Sequence, residues 1–131
     1  FNIVLKEGDL FIQNLRTTFK DSLIINLDDT QLIVDNNKLK FAGIITLEFI
    51  DANNFYSHFQ IGRGDRKNIK KITFGFLFNL DDKFIEVDNL KIDENINQNL
   101  EKFIDNFNTK KENILNKIIR KNFVKSFFRN L

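Results

Sequence analysis

Between residues 38 and 49, and again between 71 and 80, apolar side chains fall on every second position. Leu39, Phe41, Ile45, Leu47 and Phe49 share one row with Gly43, while Lys38, Lys40, Thr46 and Glu48 occupy the other. Ile72, Phe74, Phe76, Phe78 and Leu80 repeat the design against Lys71, Thr73, Gly75 and Asn79. A period of two places each row on one face of a β-strand, so both stretches predict strands with one apolar and one polar face. Branched and aromatic side chains suit that pleated surface.

Weaker strand signals fill the rest of the first ninety residues, at 1–5, 10–18, 22–27, 30–34, 83–87 and 89–93. The separators are short and polar: Glu7-Gly8-Asp9, Asp28-Asp29, Asp35-Asn36-Asn37 and Asp81-Asp82. Such turns join antiparallel neighbours, because parallel strands need long crossovers. One pattern occurs twice. Asn26-Leu27-Asp28-Asp29 with Val34-Asp35-Asn36 matches Asn79-Leu80-Asp81-Asp82 with Val87-Asp88-Asn89. Each copy reads as strand end, acidic turn, second strand and a further turn, which is a scaffold pattern.

Asp51 is placed to cap a short inserted helix carrying Phe55, Tyr56 and Phe59. Ile61 to Asn68 reads as an exposed loop. Near Asn95 the period changes to that of a helix, with Ile96, Leu100, Phe103, Ile104 and Phe107 on one stripe. Asn108-Thr109 offers a break and a new cap. A second stripe follows in Ile114, Leu115, Ile118, Ile119, Phe123, Phe127 and Phe128, with Lys117, Lys121, Lys125 and Arg129 recurring on the polar side. The expected architecture is α+β: an antiparallel β-meander of seven or eight strands in a curved sheet, a short inserted helix and two C-terminal α-helices. Residues 1–131 form a single domain, mostly β over 1–93 and helical over 95–131.

At 131 residues such a chain hides roughly two-thirds of its surface on folding, enough for a core without disulfides or metal. Phe occurs 16 times, and Cys, Met, Trp and Pro are absent. Lacking cysteine, the chain has no disulfide framework and no thiolate nucleophile, and with one histidine a zinc site is disfavoured. No cofactor is implied. The net charge of +2 is unevenly spread: residues 101–131 hold eight basic and three acidic side chains, so the body before them is mildly acidic. No apolar run approaches a membrane span and no signal-peptide pattern is present. A chain beginning on Phe1, within a strand, is expected to be a piece of a longer protein or a processed product.

His58 as a catalytic base would need a nucleophile and an orienting carboxylate, for which Asp51 and Asp65 are the nearest candidates in sequence. An ordinary surface or half-buried histidine is the plainer reading, and no enzyme is expected. The acidic pairs lack the alternating ligands and bend glycine of a calcium loop and read as turns. Gly62-Arg63-Gly64 lacks the third glycine of a nucleotide loop. Arg63-Gly64-Asp65 is a three-residue match that arises by chance. The basic helix reads either as a docking helix with a solvated lysine face or as a contact for an anionic membrane surface. Nucleic acid is disfavoured, because the strand aromatics sit in the buried row and no RNP-like motif occurs.

The runs Phe103-Ile104-Asp105-Asn106-Phe107-Asn108 and Ile114 through Phe128 resemble the end of AsmA-like proteins from AT-rich marine alphaproteobacteria. Phe55 through Gln60, Ile69 through Leu80 and Val87 through Asp93 resemble the same region, so the likeness covers roughly residues 38–131. It implies an envelope protein anchored in the inner membrane by a segment outside this chain and extending into the periplasm. It further implies a curved sheet with an apolar trough, and a part in outer-membrane biogenesis and lipid transport between membranes. It brings no catalytic residues. On this reading the chain is the C-terminal part, and it lines or closes an apolar groove. Leu39, Phe41, Ile45, Leu47, Phe49, Ile72, Phe74, Phe76 and Phe78 would contact a phospholipid or other acyl-chain lipid. Lys117, Lys121, Lys125 and Arg129 would meet the membrane or a protein partner. The alternative is a structural interaction module whose helices cover the sheet completely and whose basic helix docks a protein.

Overall fold

The computed structural model describes residues 2–131, so Phe1, expected to open the first strand, lies outside them. Among these residues the fold is α+β. Seven strands, β1 (Asn2–Lys6), β2 (Asp9–Gln13), β3 (Leu15–Phe19), β4 (Leu23–Asp35), β5 (Lys38–Phe49), β6 (Lys71–Asn79) and β7 (Ile85–Ile92), form one antiparallel sheet. Its order is β1-β2-β4-β5-β6-β7, and β3 pairs beside β2 along the other half of β4. Three α-helices, α1 (Ala52–His58), α2 (Gln98–Lys110) and α3 (Lys117–Arg129), complete it.

The central pair β5–β6 carries the two alternating stretches in matching register: Phe41 opposite Phe78, Gly43 opposite Phe76, Ile45 opposite Phe74 and Leu47 opposite Ile72. Directly opposed residues share a face, so both apolar rows merge into one wall. These two strands keep the same parity from end to end. Their neighbours do not. In β4 the inward residues are Leu23, Ile25 and Leu27 and then Thr30, Leu32 and Val34, a change from odd to even positions. The change occurs where Asp28 pairs Ile44 but Gln31 pairs Ala42, which inserts one extra residue as a bulge around Asp29.

Asp28-Asp29 is therefore not the expected turn: 22–27 and 30–34 belong to one strand. Likewise 83–87 and 89–93 are not two strands. β7 runs through Asp88-Asn89 with its own bulge, and its inward residues change from Ile85 and Val87 to Leu90 and Ile92. The expected strand 10–18 is instead broken at Asn14 into β2 and β3. Asp29, Asn89 and Asn14 all have positive φ, near 50°, a conformation that Asn and Asp tolerate better than other non-glycine residues. The repeated motif is thus used in opposite ways. Its first half makes a bulge in copy one and a turn in copy two, where the Asn79 side-chain oxygen accepts from the Asp81 and Asp82 amides, both at 2.9 Å. Its second half makes the tight Asn36-Asn37 turn in copy one and the β7 bulge in copy two.

Each bulge faces a glycine on the adjacent strand. Gly43 faces the β4 bulge, where a Cβ would sit 2.6 Å from Thr30 Oγ1 and 2.9 Å from Thr30 Cα. Gly75 pairs with Asp88, whose side chain fills the place of its missing Cβ. Asn14, Asp29, Gly43, Gly75 and Asp88 consequently lie along one transverse line across the sheet.

Helical residues cover the apolar face mainly on the Leu47–Ile72 side of that line and reach across it on β7 to Val87 and Ile85. Asp51 caps α1 as expected, its Oδ1 accepting from the Asn54 amide at 3.0 Å. Phe55, Tyr56 and Phe59 are buried with Phe127, Phe128 and Leu100 over Leu23 and Ile72. The expected exposed loop 61–68 is pinned by buried Ile61, with Ile69 buried just beyond it. Within it the Lys67 carbonyl accepts from the Tyr56 hydroxyl at 2.5 Å. α2 presents Leu100, Phe103, Ile104 and Phe107 to the core, but Ile96 precedes the helix and is exposed. α2 continues through Asn108-Thr109 and ends only at Lys111, with φ 50°. The expected break there is corrected: the new cap is Asn116, whose side chain accepts from the Ile118 and Ile119 amides.

Gly43→Val should destabilise the fold by about 1–3 kcal/mol, because Thr30 and its backbone leave no room for the added atoms. Denaturant unfolding measures the loss, and Asp29→Gly, which keeps the left-handed bulge open to a residue without steric penalty, should be far milder.

Candidate functional site

The apolar wall forms a trough in two sections. In the covered section Leu47, Phe49, Ile72 and Phe74 make a floor, with Val87 and Leu90 from β7. Ile104 and Phe107 of α2 and Phe123, Val124, Phe127 and Phe128 of α3 make its roof. Between them lies a cavity of about 230 Å³. The roof is held by an aromatic ladder, with Phe123 4.4 Å from Phe107 and 5.4 Å from Phe103, centroid to centroid. In the open section a hollow of about 270 Å³ is lined by Ile12, Leu27, Thr30, Phe41, Ile45, Phe76, Phe78 and Ile85, all of them sheet residues. Ile85 borders both sections.

All nine residues expected to form the apolar face lie on it. Leu47, Phe49, Ile72 and Phe74 line the covered section; Phe41, Ile45, Phe76 and Phe78 line the open one. Leu39 stands at the far rim, 39% exposed, near Val34 at 74%. Among the described residues the hollow at the Phe41–Phe78 section is lined by sheet residues, and one of them, Ile85, paired with Phe78, also packs against the cluster of Ile104 and Phe107 of α2. Ile12, Leu27, Ile85, Val87 and Leu90 stand in the wall as well, beyond the nine expected residues. The signal for them is the change of parity at Asn14, Asp29 and Asn89.

The basic row divides. Lys117 and Arg129 are exposed, whereas Lys121 and Lys125 are half-buried. The apolar stripe of α3 also differs from the expected one. Because the helix starts at Lys117, the face directed at the cavity is Arg120, Phe123, Val124, Phe127 and Phe128, while Leu115 and Ile118 point to solvent, Ile118 at 71% exposure.

Two side chains tie the helices to the sheet margins. Asn108 of α2 completes the free edge of β7: its Oδ1 accepts from the Val87 amide at 2.9 Å and its Nδ2 donates to the Val87 carbonyl at 2.8 Å. His58, at the end of α1, packs edge-on against Phe19 and Phe59, with centroids at 5.3 and 4.9 Å. Desolvation lowers its pKa below the ordinary 6.5, and repulsion from Lys20, Lys121 and Lys117 adds to this. Among the described residues no carboxylate forms a hydrogen bond or ion pair with His58, so Asp51 and Asp65 do not join it. Burial raises the pKa of Tyr56, and Arg66, 5.9 Å from its ring, partly offsets this.

Among the described residues no group of three His, Asp or Glu side chains is placed to hold a metal, and no helix is long and apolar enough to cross a membrane. Comparison with protein-family models, curated proteins and solved structures finds no match for the chain.

Asn108→Ala should cost about 1–3 kcal/mol, the penalty for stripping partners from buried backbone groups, and hydrogen exchange should accelerate at the Val87 amide. For His58, the folded state holds the neutral form more firmly than the unfolded chain does. Its contribution is therefore present above pH 6.5 and is lost as pH falls through that value toward the lowered folded pKa. The melting temperature of the wild type relative to His58→Gln should decline on acidification from about pH 7.5 to 5. A difference that stays flat across that range would contradict the burial of the neutral ring.

Proposed function

We propose that this chain is a non-enzymatic segment of an AsmA-like envelope protein that lines an apolar groove for acyl-chain lipid, in the service of lipid transport between membranes and outer-membrane biogenesis. The observation that carries the reading is the trough itself. An apolar floor passes from beneath a helical roof, by way of Ile85, into a section lined by sheet residues. A floor of aliphatic and aromatic side chains, with Thr30 the single polar member of the open section, suits a hydrocarbon tail better than a polar metabolite. An apolar surface of this kind marks a binding site when it is not covered.

The resemblance supplies the periplasmic setting and an inner-membrane anchor in a segment outside this chain. The basic helix α3 fits a membrane or protein contact: Lys117 and Arg129 are exposed, and Leu115 and Ile118 project beside them, the mixture that interfacial helices present to anionic headgroups. The partial cover favours the groove over a closed interaction module, whose sheet would be sealed.

Organic extraction of the purified protein should release acyl-chain lipid, and a fluorescent fatty acid should bind. Phe41→Asp places a charge in the open section, opposite Phe78, at a half-buried position whose loss the core can survive. It should weaken fatty-acid binding at least about tenfold, as expected for an unpaired charge in an apolar site, with circular dichroism unchanged. Lipid-free protein that ignores the probe would end the reading.

A further inference from the structure

The stripe of α3 that faces the covered cavity runs Arg120, Phe123, Val124, Phe127, Phe128. Four members are apolar, as a core-facing stripe requires, and the first is a cation. Arg120, an exposed residue at the rim, is the single charged side chain lining a cavity whose other walls are aliphatic or aromatic. Part of its role is local, since Nη1 donates to the carbonyls of Ile114 at 3.4 Å and Leu115 at 3.3 Å in the connection before α3. These contacts occupy one nitrogen of a guanidinium that offers five N–H donors in a fixed fork. Among the described residues no carboxylate lies within ion-pair distance of it. Lys117 and Lys121, one turn before it and beside it on the same helix, add charge of the same sign, and the first turn of α3 holds no acidic residue.

Resting on the groove reading above, we propose that the covered cavity is the terminus of the trough for a single-chain amphiphile with an anionic head, carboxylate or phosphate monoester. The chain lies over Phe74 and Ile85 toward the open section, and Arg120 receives the head at the cavity mouth. The space favours one tail: about 230 Å³ is below the usual range for a site that encloses a whole multi-part ligand, roughly 300–1,000 Å³. A guanidinium suits either head, because its fork matches carboxylate and phosphate oxygens in pairs.

Isothermal titration calorimetry with dodecanoate, dodecyl phosphate and dodecanol, below their aggregation limits, separates head from tail. Wild-type protein should bind one or both anions about tenfold tighter than the alcohol, the effect of a charge-assisted pair. That preference should shrink as salt rises. Arg120→Gln should remove the preference while leaving dodecanol binding in place, and Lys102→Gln, at an exposed position of α2, should leave both unchanged. Preference for dodecanoate alone assigns a fatty-acid-like head, and preference for dodecyl phosphate a phosphate head. Equal binding of all three by the wild type overturns the head site and leaves the groove standing. Absence of binding by any of the three overturns both. If Arg120→Gln does not fold, the wild-type preference and its salt dependence decide the matter.

Discussion

The structure depends on the contact between two long strands. Phe41 against Phe78, Ile45 against Phe74 and Leu47 against Ile72 fix the register of β5 and β6, because a slip of one residue would move every one of these side chains to the polar face. Once that pair is set, the neighbouring strands must bring their own apolar residues to the same side. The helices then have a single surface on which to bury Phe55, Phe107, Phe127 and Phe128. Phenylalanine does most of this packing. Its rings are large enough to bridge between roof and floor while leaving space between them, and aromatic pairs add roughly 0.5–1.5 kcal/mol each beyond area burial.

The transverse line from Asn14 to Asp88 marks where β4 and β7 change parity. On one side α1, α2 and α3 roof most of the trough; on the other its lining comes from the sheet, with Phe76 and Thr30 still buried. Bulges bend a strand and raise its local twist, and the glycines at 43 and 75 let the neighbouring strand take up the bulge without a clash. Across the open end, the turn after β4 and the turn after β6 are bridged by Lys38 and Asp82 at 2.6 Å. The hydrogen bond and charge of Asp82 raise the pKa of Lys38. Such an exposed pair adds little stability, but it links the two copies of the repeated motif at the points where both form turns.

Much of this was legible in the residues. Strict alternation at 38–49 and 71–80 announced the central strands and their apolar rows, Asp51 announced its cap, and the spacing of Leu100, Phe103, Ile104 and Phe107 announced a helix. What stayed hidden has a common cause. Asp and Asn serve tight turns and bulges through the same backbone conformation, so Asp28-Asp29 and Asp88-Asn89 looked like chain reversals. Only the shift of apolar residues from odd to even numbers distinguishes a strand that continues from one that ends. The phase of α3 was misjudged for a related reason. Counting from Ile114 puts Ile118 inward, whereas the cap at Asn116 restarts the helical period, leaving Ile118 in solvent and bringing exposed Arg120 to the rim of the cavity.

The extra residue in β4 makes chain length, and not composition, the sensitive property at that point. Removing Asp29 would leave Leu27, Thr30, Leu32 and Val34 in simple alternation on the same face and take away only the local bend of the bulge, whereas a further inserted residue would turn Thr30, Leu32 and Val34 to the outer surface. Seven residues beyond Asp29, the exposed Asn36-Asn37 turn could lengthen with little effect on the wall. Insertions among descendants of this chain should therefore gather at its loop tips and avoid a position that, in linear text, looks equally like a loop.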